Sequence, residues 1–220
     1  MSTLDLILVA AAVVLLGGLL AAERANKKTL ALVVKTTLSC LFVVAAVVQP
    51  HPVEAYFHWV LAGLVLGLVG DVCLALPGDR AFQAGLVAFL LGHVAYIVAF
   101  AGLVRGLADF ASPVHVVVFG ASAAAFWWFR PHLGEMLLPV VAYVVVITVM
   151  VAVAWSGSRN PLVPDLGGIT LLLGTVAFYI SDLCVAREKF IGGGFANKLV
   201  GLPLYYAGQF LIAFSVGLVG

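Results

Sequence analysis

The run Ala55-Tyr-Phe-His-Trp-Val-Leu-Ala-Gly-Leu-Val-Leu-Gly-Leu-Val-Gly-Asp-Val-Cys-Leu-Ala-Leu76 carries one acidic residue, Asp71, and no Lys or Arg. A helix that crosses a bilayer needs about 20 mostly apolar residues, and this run supplies them. A barrel strand would alternate in polarity and be about half as long. Seven further stretches have the same character: Thr3–Ala22, Thr29–Gln49, Ala81–Val104, Pro113–Phe129, Leu137–Trp155, Leu166–Ala186 and Leu199–Leu218. The breaks between them hold Pro, Gly and charges, as turns do. The sequence therefore predicts an all-α, polytopic transmembrane bundle of eight spans, with residues 1–220 forming one integral membrane domain. The first span lacks a basic leader and has Asp5 instead, so it reads as part of the mature chain rather than a signal peptide.

Composition narrows the function classes. Of 220 residues, 64% are hydrophobic and 10% are charged, against the ~25% charged residues usual in soluble domains. The mean hydropathy is +1.20. A soluble core of this size cannot absorb so much apolar surface. A cytosolic enzyme, a disordered chain and a disulfide scaffold are excluded. A net charge of +1 gives no basic field for a nucleic acid, so no such partner is expected. Cys40, Cys73 and Cys184 are odd in number, lie in apolar runs and lack metal-ligand spacing. They read as small buried hydrophobes; no cofactor is expected and no metal is required, while the carboxylates with His93 leave a metal site open.

Basic residues set the orientation. The odd-numbered loops hold Arg24, Lys27, Lys28, Arg80, Arg130, Arg187, Lys189 and Lys198, whereas the even loops hold Arg105 and Arg159. The positive-inside rule places the odd loops in the cytoplasm and both termini outside, in what is expected to be a bacterial inner membrane. The last odd loop is expected over Arg187–Lys198, with Gly192-Gly193-Gly194 as a linker or lid.

An internal echo joins the two halves. Gly70-Asp71-Val-Cys73-Leu-Ala75 resembles Ser181-Asp182-Leu-Cys184-Val-Ala186, 111 residues later. Four spans followed by four in the same sense predict a 4+4 parallel repeat; a chance echo between two apolar helices is the alternative.

Ionisable groups inside the spans are few. Each costs roughly 2.5–3.5 kcal/mol on insertion scales and persists where it faces the bundle interior with a partner. Asp71, Asp182 and Lys35 fall roughly 6–9 Å from the same face at 1.5 Å per residue, so they could share one pocket. His93 and Tyr96 lie on one face of the fourth span, and Tyr205, Tyr206 and Gln209 cluster in the eighth. Tyr179 and Asp182 lie on one stripe of the seventh, with Ser181 alongside. These residues are the candidate site, with Asp71 and Asp182 as the catalytic pair. The bland reading makes Lys35 a snorkelling side chain and the others inter-helix hydrogen bonds. Gly63, Gly67 and Gly70 allow a neighbouring backbone close to Asp71. Serine-hydrolase and zinc-protease motifs are lacking.

Two carboxyls in a shielded chamber beside an ammonium divide naturally into one protonated and one ionised group. Such a pair can protonate a substrate and activate water. It can equally serve a proton-coupled carrier of lipids or small molecules, and a non-catalytic lipid-binding protein is a third reading.

Several elements together resemble the YhhN family of eight-span membrane proteins, which includes the lysoplasmalogenases. They are Lys35; Gly70-Asp71; Phe82-x2-Gly85-x3-Phe89-x3-His93-x2-Tyr96; Pro139-x3-Tyr143; Ser181-Asp182-x2-Val-Ala followed by Lys189-Phe190; and Tyr205-Tyr206-x2-Gln209 with Leu211-Ile212 and Ser215. The family often has Pro after the second-span Lys, where Thr36 stands here. The resemblance implies hydrolysis of the vinyl-ether bond of lysoplasmalogen, a membrane lysophospholipid, to a fatty aldehyde and glycerophosphoethanolamine or glycerophosphocholine. It implies Asp71 and Asp182 as acid and base in unassigned order. His93, Tyr206 and Gln209 would then position water or glycerol, and Lys35 would neutralise a carboxylate or meet the phosphate.

Overall fold

Eight long helices make up the computed structural model, which describes residues 2–220. They are α1 (Thr3–Arg24), α2 (Lys28–Val47), α3 (Glu54–Ala75), α4 (Asp79–Ala101), α5 (Pro113–Phe129), α6 (Leu137–Ser158), α7 (Asp165–Phe190) and α8 (Gly194–Ser215). Short 3-10 turns sit at Leu107–Phe110, Arg130–His132 and Gly134–Met136. Large apolar side chains face outward, among them Val14, Val116 and Leu138, each more than 70% exposed. That is the pattern of a protein whose outer solvent is hydrocarbon. Six helices (α1 to α4, α6 and α7) are long and apolar enough to cross a membrane. Helix α5 has 17 residues, and in α8 the polar Asn197, Lys198, Tyr205, Tyr206 and Gln209 interrupt the apolar run.

Polar groups in the helices find local partners. Ser2 and Asp5 form a reciprocal cap at the start of α1, and the free Asp5 oxygen accepts from Gln49 Nε2 at 2.8 Å. Helix α7 runs four residues past the expected boundary at Ala186, and α8 begins at Gly194, so the expected Arg187–Lys198 loop shrinks to Ile191–Gly193. Arg187 and Lys189 lie in the last turn of α7, where cations favour the helix terminus. Gly192 (φ +91°) and Gly194 (φ +60°) take the left-handed backbone that closes the tight turn. The glycine run is thus a helix–helix corner rather than a lid.

Helices α3 with α4, and α7 with α8, pack most extensively. Both pairs cross at glycines. A Cβ on Gly92 would stand 3.2 Å from the Gly63 carbonyl, and one on Gly208 would stand 2.8 Å from the Gly174 carbonyl. Gly63 and Gly174 are 111 residues apart, the same spacing as Asp71 and Asp182. The neighbour relations repeat under a shift of four helices. Helix α2 packs on α3 and α8, α6 packs on α7 and α4, and α1 and α5 lie along α2 and α6. The two halves are therefore arranged as a parallel repeat, each contributing its last helix to the other.

The crossing at Gly208 is the tightest test of this packing. Gly208→Leu should lower the melting temperature of the detergent-solubilised protein, at a cost of about 1–3 kcal/mol or more. Gly120→Leu, where nothing lies within 4 Å of the added carbon, should leave it unchanged.

Candidate active site

A cavity of about 460 Å³ opens among α2 to α8, with Glu23 of α1 at its edge. Its rim is charged (Glu23, Glu188, Lys189, Lys198), and its depth holds Lys35, Asp71, Tyr143, Asp182 and Tyr205. One wall is apolar, built from Phe126, Phe129, Val140, Val144 and Ile147 of α5 and α6. Most of that wall belongs to a hydrophobic cluster separate from the main core, which Ile147 joins. Of the ten candidate residues, six line the cavity: Lys35, Asp71, Tyr179, Ser181, Asp182 and Tyr205. The other four, His93, Tyr96, Tyr206 and Gln209, are buried behind its wall.

Asp71 is 1% exposed, and its carboxylate is nevertheless well supplied with donors. Lys35 Nζ lies 3.1 Å from Oδ1. Ser39 Oγ donates to Oδ2 at 2.5 Å, and Tyr205 OH donates to the same oxygen at 2.6 Å. Three donors, one of them cationic, thus surround the carboxylate. Lys35 therefore neutralises a carboxylate rather than snorkelling to the headgroups. Behind Tyr205 the chain continues: Gln209 Nε2 donates to Tyr205 OH at 3.2 Å, and Tyr96 OH donates to Gln209 Oε1 at 2.7 Å. Tyr206 OH reaches the Lys35 carbonyl at 3.4 Å.

Asp182 is held differently. Tyr143 OH donates to Oδ2 at 2.6 Å, and no Lys or Arg lies within ion-pair reach among the described residues. His93 Nε2 sits 3.3 Å from the same oxygen but off the line of a hydrogen bond, and it is without an aligned partner. His93 Nδ1 is 2.6 Å from the Phe89 carbonyl. A carbonyl only accepts, so Nδ1 carries a hydrogen and the neutral ring would turn a bare Nε2 toward the carboxylate. The Asp182 carboxylate and this nitrogen therefore face each other at 3.3 Å without an aligned hydrogen bond. The two aspartates thus share a cavity in unlike settings.

The remaining candidates are tied to the frame. Ser181 Oγ donates to the Phe178 carbonyl at 2.7 Å. Tyr179 OH and Ser122 Oγ are 2.9 Å apart and join α7 to α5. Two partners of the aspartates, Ser39 and Tyr143, lie outside the candidate set. Ser39 is one turn beyond Lys35, on the same face of α2, and this spacing is a signal the sequence does carry. Tyr143 stands in an apolar helix with nothing beside it to mark its direction.

The YhhN family model matches residues 30–216. The chain belongs to the YhhN family. Among curated relatives, a Mycobacterium bovis protein named lysoplasmalogenase is 34% identical over 178 residues, covering 79% of this chain and 64% of that protein. A mouse protein named lysoplasmalogenase TMEM86B is 32% identical over 161 residues, covering 71% of this chain and 63% of its own length. An Escherichia coli protein named uncharacterized membrane protein YhhN is 28% identical over 179 residues, covering 81% and 84%. The matched region thus spans just under two thirds of the two lysoplasmalogenases. No solved structure matches the chain. As a YhhN protein it is an integral membrane protein, in keeping with the apolar helices above.

Removing one partner from the Lys35–Asp71 pair leaves a buried charge unmatched. Lys35→Met should destabilise the protein by about 3–5 kcal/mol. The double variant Lys35→Met/Asp71→Asn should recover much of that loss in detergent melts.

Proposed function

We propose that this YhhN protein is an intramembrane hydrolase that cleaves the vinyl-ether bond of lysoplasmalogen. The observation that carries the reading is the pair of unlike aspartates on one lipid-sized cavity. The names of the mycobacterial and mouse relatives support the same substrate. All eight helices are taken as spans of a single domain, with the charged rim at the cytoplasmic face of an inner membrane. The lysolipid headgroup would lie at the rim and its single chain against Phe126, Phe129 and Val144.

Vinyl-ether hydrolysis begins with protonation of carbon. The Asp182–His93 pair gives its proton to the β-carbon of the double bond, and the electrons left on oxygen form an oxocarbenium ion. The ionised Asp71 stabilises that cation across the cavity. A water molecule then adds to the cationic carbon, its proton passing to a carboxylate. The hemiacetal hydroxyl then gives up its proton, the bond to glycerol breaks as the glycerol oxygen takes up a proton, and a fatty aldehyde leaves. Protons balance, and one water is consumed. In this assignment Asp182 serves the acid step and Asp71 the stabilising and base step. Tyr143 positions Asp182, and Ser39, Tyr205 and Gln209 position Asp71. Tyr96 and Tyr206 brace these through the contacts behind the wall, and Tyr179 and Ser181 border the substrate.

Purified protein should release aldehyde from lysoplasmalogen, and Asp71→Asn and Asp182→Asn should each lower the rate by about a hundred- to ten-thousand-fold. Full activity in both variants would remove this chemistry. Transport of unchanged lipid without aldehyde release would favour a carrier.

A further inference from the structure

Four carboxylates line the cavity, and three have partners. Asp71 faces Lys35, Glu23 faces Lys198 at 2.8 Å, and Asp182 has Tyr143 and His93. The fourth is Glu188. Among the described residues it has no cation within ion-pair distance, and its one side-chain contact is a 3.4 Å hydrogen bond from Asn197 Nδ2 to Oε2. The nearby cations are committed elsewhere. Lys198 is held by Glu23, and Lys189 lies 3.3 Å from Asp79 with its ammonium 4.2 Å from the Phe82 ring centroid. Arg187 is exposed. The cavity therefore presents one unmatched negative charge, on a half-buried side chain at its rim.

The fold builds this position deliberately. The α7–α8 corner brings Glu188, at the end of α7, beside Asn197, near the start of α8. A Cβ on Gly193 would stand 2.7 Å from Glu188 Oε2 and 2.5 Å from Asn197 Cβ. Glycine there lets the corner close over the carboxylate without displacing it. Asn197 is 5% exposed and anchors to the Cys184 carbonyl at 2.7 Å through Nδ2. The glycine run thus has a role that its sequence alone does not disclose.

We propose that Glu188 is the ammonium-binding residue of this cavity and that it selects lysolipids carrying a headgroup amine over those ending in a bare phosphate. The inference rests on the lysolipid reading above and assigns its headgroup subsite. Glu188 lies six residues beyond Asp182 on one helix, about 9 Å along the axis. Glycerol, phosphate and the two ethanolamine carbons can bridge that interval from the ether oxygen. Lys189 and Lys198 lie on the same rim, each beside the carboxylate that already holds it, so the amine end of a zwitterionic headgroup is the part that meets an unmatched charge. A substrate ending in phosphate would bring its negative charge toward Glu188 unpaired.

The test compares two 1-alkenyl lysolipids that differ only in headgroup, phosphoethanolamine or phosphate alone. Aldehyde release by wild type, Glu188→Gln and Glu188→Asp is measured in detergent. Wild type and Glu188→Asp should prefer the ethanolamine lipid, and Glu188→Gln should shift the kcat/KM ratio by about tenfold toward the phosphate lipid, chiefly through KM. An unchanged ratio, or an equal loss on both lipids, overturns the proposal. The ester lysolipids with the same two headgroups are measured in parallel by equilibrium binding. If wild type releases no aldehyde at all, the hydrolase reading falls, and the binding ratio alone then decides for or against Glu188.

Discussion

Lys35 Nζ lies 3.1 Å from Asp71 Oδ1, and the rest of the bundle is organised by what that contact requires. A carboxylate removed from water needs donors for its lone pairs, and one in hydrocarbon has only protein to supply them. Asp71 draws them from α2 through Lys35 and Ser39 and from α8 through Tyr205. Helices α2, α3 and α8 must therefore converge at one depth. Glycine makes that possible: Gly67 of α3 faces the Gln209 side chain of α8, and Gly70 lies under the Phe89 ring. Larger residues there would push away the helices that carry the donors.

The parallel repeat then asks the same of the second aspartate and answers it with different side chains. Asp182 on α7 is met from α6 by Tyr143 and from α4 by His93, the positional equivalents of α2 and α8. The frame is shared, but an ammonium, a hydroxyl and a phenol on one side become a phenol and an imidazole on the other. One aspartate is thereby paired with a cation, and the other lies against a phenol and an imidazole. Duplicated geometry with divergent donors thus gives two carboxylates in one chamber unlike surroundings.

Much of this is legible in the sequence because membrane helices are written in long apolar runs. The span boundaries follow from the places where charge and Pro reappear, and the depth of Asp71, Asp182 and Lys35 follows from counting residues. The echo around the two aspartates marks the repeat. What the sequence leaves obscure depends on direction around a helix axis. Nothing in the α6 run Leu137–Ser158 says which way Tyr143 points, and His93, Tyr96 and Gln209 read as cavity residues when they brace the wall from behind. The α7–α8 corner is misjudged for a different reason. Charges at Arg187 and Lys189 look like a loop, yet they sit on a helix that continues past the apolar run, where Lys189 meets Asp79 and Phe82.

In the proposed reaction the Asp182–His93 pair delivers a proton to carbon. Hydrolysis of lysoplasmalogen in heavy water, with the aldehyde reduced as it forms and examined by mass spectrometry, tests it most directly. The wild-type product should carry one deuterium on the carbon next to the former carbonyl. Aldehyde formed without that deuterium would mean the bond breaks without protonation of carbon, and the role given to Asp182 and His93 would be contradicted.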